Sequence, residues 1–65
     1  MGDYKTRLLK EFAELQDRTN KLIAFSVSPK INELPEVDRQ DLQEQLIHMQ
    51  AYLNVLNRRV SRLAT

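Results

Sequence analysis

The sequence predicts an all-α fold: an antiparallel αα-hairpin with heptad packing that assembles into a homo-oligomeric helical bundle. Three features predict it. Apolar residues from Leu42 to Leu63 are spaced alternately by four and three, the same spacing runs through Leu8, Phe12, Leu15, Thr19 and Leu22, and a Ser-Pro-containing stretch separates the two runs. One domain of 65 residues follows, with helices over about 4–25 and 36–62 and a connection over about 26–35.

In the first helix, Asp3 stands where a carboxylate caps a helix beginning at Tyr4. The stripe places Leu8, Leu15 and Leu22 at d positions and Phe12 at an a position, with Lys5 and Thr19 as polar residues at a positions. A polar residue in a seam commonly fixes register or oligomer state, and that is the role expected of Thr19. Leu9, Ile23 and Phe25 widen the apolar face beyond what one partner helix covers.

Residues 26–34 combine β-branched residues with Ser28-Pro29 and Asn32, which disfavour helix continuation. Pro35 suits the first turn of the second helix, and Glu36, Asp38, Asp41 and Glu44 follow where the helix dipole favours acids. On that helix Leu46, Leu53 and Val60 take a positions, and Leu42, Met49, Leu56 and Leu63 take d positions. Arg58, Arg59 and Arg62 complement the negative end of the dipole. A connection of about ten residues lets the helices fold back on each other.

Size and charge pattern predict self-association. A chain this small without cysteine lacks the disulfide staple that marginal cores commonly use. From Gln45 to Asn57 the second helix carries no formal charge with His48 neutral, and Ile47, Tyr52 and Val55 lie outside the seam. Second helices packing across a symmetry axis account for both observations.

Composition narrows the function. The net charge of +1 argues against a general nucleic-acid binder, and no apolar run reaches the length of a membrane span. The N-terminus, Met1-Gly2-Asp3-Tyr4-Lys5, lacks the pattern of a signal peptide, so a cytoplasmic protein is expected. With one His, no Cys and one Gly, neither a structural zinc site nor a glycine-rich phosphate cradle is expected. His48 has only Glu44, Gln45 and Tyr52 near it at helical spacing and no nucleophile, and no catalytic residue, metal or cofactor is expected.

Candidate binding residues gather by register. With Leu22 near Leu42 and Leu8 near Leu56, Tyr4 and Lys5 approach Val60, so the open end collects Tyr4, Lys5, Arg7, Arg58, Arg59 and Arg62. Guanidinium groups beside a ring suit a phosphate and a stacked base. The simpler reading is that these cations complement the helix end and pair with Glu11 or the C-terminal carboxylate. Arg18 and Lys21 form a second cationic pair, near Glu14 and Asp17, and Tyr52 takes a g position. The ligand-binding candidates are therefore Tyr4, Lys5, Arg18, Lys21, Tyr52 and Arg59.

Segments 3–8, 14–22 and 42–59 (DYKTRL, ELQDRTNKL and LQEQLIHMQAYLNVLNRR) carry a resemblance. They resemble the small helical-hairpin proteins of tailed phages grouped as crAss-phage-related proteins. More distantly, the hairpin is similar to the viral sponge proteins typified by anti-CBASS hairpins, which assemble into oligomers and sequester cyclic nucleotide immune signals between protomers. The first resemblance implies a phage protein acting in the cytoplasm of an infected bacterium. The second implies capture of a cyclic oligonucleotide or cyclic ADP-ribose type of signal. The alternative is a helical adaptor that docks on a host protein and inhibits or redirects it.

Overall fold

The computed structural model describes residues 3–63. It is all-helical: α1 spans Asp3–Ser26, a short 3-10 helix spans Pro29–Glu33, and α2 spans Glu36–Leu63. Met1, Gly2 and the C-terminal carboxylate invoked above as a partner for arginines lie outside the described residues. The two helices pack along each other in a rod of 47 × 15 × 15 Å. That length is close to the roughly 42 Å expected for the 28-residue α2 at 1.5 Å per residue.

The heptads make the contact. Leu8, Leu15 and Leu56 form the buried core, with Phe12, Met49, Leu53, Val60 and Leu63 packed against it. All are a or d residues of the two stripes, and Leu56 is completely buried. Folding back thus removes both stripes from water together, which neither helix achieves alone.

Thr19 makes its side-chain hydrogen bond within its own helix. It is 1% exposed, yet its hydroxyl donates to the Leu15 carbonyl of its own helix at 2.7 Å. The polar atom is satisfied within α1, so Thr19 presents no hydrogen bond across the seam with which to select a register.

The connection is more ordered than its composition announces. The Ser26 hydroxyl donates to the Ile23 carbonyl at 2.7 Å and the Ser28 hydroxyl to the Phe25 carbonyl at 2.9 Å. These bonds, with the Val27 amide on Ile23 at 3.2 Å and the Ser28 amide on Phe25 at 3.1 Å, satisfy carbonyls that a helix end leaves open. Pro29 then starts the 3-10 turn with its φ already fixed. The Pro35 carbonyl accepts from the Arg39 amide at 3.1 Å, so Pro35 flanks α2 and Glu36 is its first residue. Asp3 lies inside the first turn of α1, where its charge favours the positive end of the dipole.

Two substitutions separate core from polar insert. Leu56→Ala is expected to cost about 2–5 kcal/mol, the range for a buried leucine truncation. Thr19→Val is expected to leave stability level or raise it, because no partner across the seam is orphaned. Urea unfolding followed by circular dichroism measures both.

Candidate functional site

The antiparallel seam has two flanks, and the g positions of both helices share one of them. On α1 these are Tyr4, Glu11, Arg18 and Phe25; on α2 they are Asp38, Gln45, Tyr52 and Arg59. A direct bond identifies the flank: the Tyr52 hydroxyl donates to Oε2 of Glu11. Forty-one positions apart in sequence, the two residues meet only because the helices run antiparallel in this register.

Tyr4 and Arg59 line two adjoining clefts at the open end of the hairpin. One, of about 210 Å³, is completed by Leu8, Arg62 and Leu63. The other, of about 290 Å³, is completed by Arg7, Leu8 and Glu11. Leucines at the base, a ring on the wall and arginines at the rim combine an apolar floor with charge at the mouth. The Tyr4 side is 56% exposed, which leaves the ring accessible for stacking.

A third hollow, of about 290 Å³, lies nearer the turn on the same flank, lined by Arg18, Lys21, Leu22, Phe25, Gln45 and Met49. Arg18 stands fourteen residues from Tyr4, about 21 Å along α1 at 1.5 Å per residue. The Lys21 ammonium is 2.9 Å from Asp17 one turn back. As the sequence anticipated for this pair, an acid one turn away offsets part of its charge.

The six candidates therefore divide. Tyr4 and Arg59 line the same two clefts, and Tyr52 is tied to them through Glu11, which lines the second. Arg18 and Lys21 belong to the separate turn-side groove. Lys5 lines none of the three clefts and is exposed; its flexible stem lets the ammonium stay in water at the end of the seam. Arg58, grouped by sequence with the open-end cations, lies at an f position on the outer side of α2 and also lines none of them.

Glu11 is the residue whose part was not foreseen. Its g position was readable, as was the register that sets Leu8 near Leu56. Carrying that register to the g residues places Glu11 opposite Tyr52. The bond raises the Tyr52 pKa above 10.0: the hydrogen bond to Glu11 is the main cause, loss of solvation and the negative charge of Glu11 add to it, and Arg59 opposes it.

Among the described residues no group of His, Asp and Glu is placed to hold a metal ion, and no helix is long and apolar enough to cross a membrane. A family model described as Sequestin matches residues 2–62, and the chain belongs to that family. No curated protein and no solved structure matches it.

The phenol gives a direct readout of the flank. Because the pKa of Tyr52 is raised in the folded state, its bond to Glu11 favours folding below the ordinary tyrosine value and is lost as pH climbs through the raised one. Ultraviolet titration of phenolate in a Tyr4→Phe background is expected to show Tyr52 ionising above a free tyrosine. Glu11→Gln is expected to bring it back down.

Proposed function

We propose that this member of the Sequestin family is a phage-encoded oligomeric binding protein. It captures an anionic nucleotide immune signal, of the cyclic oligonucleotide or cyclic ADP-ribose type, and so blocks a bacterial host's defence stoichiometrically. The observation that carries the reading is the open end of the hairpin, where Tyr4 and Arg59 wall two adjoining clefts with Arg7 and Arg62 at their rims. Guanidinium forks pair with phosphate oxygens, a tyrosine face accepts a base, and the leucine floor excludes water beneath it. The family name points to sequestration.

Capture of this kind asks only that the signal stay bound, so concentration and affinity set its effect. Glu11 contributes to selectivity. Its carboxylate beside the cleft is held by the Tyr52 hydroxyl, and it repels phosphate from one side while accepting from a base or ribose donor. The protein is expected to act in the cytoplasm of the infected cell, where such signals are made.

A second reading, a helical adaptor for a host protein, draws on exposed apolar residues of α2, Ile47 at 64% and Val55 at 40%. A monomeric protein that holds one host protein in equal amount and no nucleotide favours it.

Isothermal titration against cyclic dinucleotides, cyclic trinucleotides and cyclic ADP-ribose isomers decides the matter. At least one is expected to bind. Tyr4→Ala or Arg59→Ala is expected to weaken that binding roughly tenfold or more, since stacking alone is worth about 1–3 kcal/mol per base. Lys5→Ala is expected to change it little. Absence of heat and of thermal shift with every member of the panel overturns the proposal.

A further inference from the structure

The outer side of α2, facing away from α1, carries a second line of residues at helical spacing: Glu44, Ile47, Ala51, Val55 and Arg58. All five are exposed. The outer side of α1 is different in kind, with Lys10 paired to Glu14 at 4.0 Å and Lys21 to Asp17 at 2.9 Å, the pattern of a solvated face. On α2 the middle of the line is apolar, an acid stands at one end and a base at the other.

We infer that this face binds a second copy of the chain, α2 against α2 in antiparallel sense, with a two-fold axis passing beside Ala51. The spacing of residues about Ala51 carries the inference. Ile47 and Val55 lie four residues to either side of it, and Glu44 and Arg58 lie seven. An antiparallel two-fold pairing sets each residue against the one equally far beyond the axis. Each Ile47 then meets the partner's Val55, and each Glu44 meets the partner's Arg58. Ala51, the smallest side chain on the line, falls at the crossing, where helices approach most closely.

Charge selects this sense over the parallel one. Parallel pairing in register sets glutamate against glutamate and arginine against arginine, whereas the antiparallel form makes two opposite-charge contacts per dimer. Both groups have room for such a partner. Arg58 makes no ion pair among the described residues, and the nearest basic nitrogen to Glu44 is Nε2 of His48 at 3.8 Å.

The pairing also bears on the nucleotide site, and this consequence rests on the capture reading above. A two-fold axis that exchanges antiparallel helices runs across them, so the g flanks of both copies face the same side of the dimer. Arg59 lies eight residues beyond Ala51 and Gln45 six residues before it, offsets of about 12 and 9 Å. The open-end clefts of one copy therefore stand nearly level with the turn-side groove of the other. The two groups of candidate residues then lie level on one face of the dimer, with the two α2 helices between them.

Reciprocal charge exchange tests the interface. By sedimentation velocity, Glu44→Arg alone and Arg58→Glu alone are each expected to raise the dimer dissociation constant at least tenfold, and the two together to restore it. Because the chain has no cysteine, Ala51→Cys is a second, independent probe, expected to give a disulfide-linked dimer on mild oxidation. An oligomer indifferent to the exchanges and to Cys at position 51 overturns this interface while leaving self-association standing; an oligomer dissolved by Leu9→Lys instead places the contact on the opposite flank. A protein monomeric at every concentration overturns both. Nucleotide titration of the Glu44→Arg variant separates the site from the interface: retained binding to the monomer leaves capture intact and removes the shared face.

Discussion

The antiparallel register of a single leucine seam is the constraint on which the rest of the structure depends. Burial of Leu8, Leu15 and Leu56 in one cluster fixes how far α1 slides along α2, and that offset decides which flanking residues meet. A slip of one heptad keeps a and d residues in contact yet separates Glu11 from Tyr52 and Tyr4 from Arg59. The apolar residues supply the energy and the flanking residues register its geometry. Thr19, the polar residue buried in the seam, spends its hydroxyl on its own helix.

Much of this was legible in the residues. Two stripes of equal period, separated by a short breaker, left little alternative to a hairpin, and the acids and bases at opposite ends of α2 marked its direction. The 3-10 turn at Pro29–Glu33 was not legible, because it is held by backbone bonds from Ile31 to Ser28 and from Leu34 to Ile31, and composition alone does not reveal which carbonyls those amides reach. The division of the candidates was hidden for another reason. Grouping cations by nearness to a helix end ignores the direction in which each leaves its helix, and that direction sends Arg58 to the outer face and Arg59 to the cleft. The bond between Glu11 and Tyr52 lay within reach, since each g position was known, but only when the register of the core was extended to its flanks.

The hairpin separates its tasks by face. The seam holds the fold, the g flank offers rings and guanidinium groups over an apolar floor, and the outer side of α2 offers apolar residues framed by opposite charges. A monomeric hairpin of this size has little interior in which to enclose a ligand, and its clefts are open on the surface. Association is the direct physical remedy, because a second copy adds walls to a shallow site without lengthening the chain. Membership of the Sequestin family fits the proposed capture, in which affinity does the work that turnover does in an enzyme.

Capture without turnover leaves a bound nucleotide chemically unchanged, and its fate on the protein can be followed. Protein loaded with the nucleotide that it binds, from the cyclic dinucleotide, trinucleotide and cyclic ADP-ribose panel, is held at working temperature, then denatured, and the released small molecule is weighed by mass spectrometry against the protein. The nucleotide is expected to be recovered intact, in fixed proportion to protein, however long the complex has stood. Recovery of a linearised or hydrolysed product that accumulates with time contradicts capture without turnover.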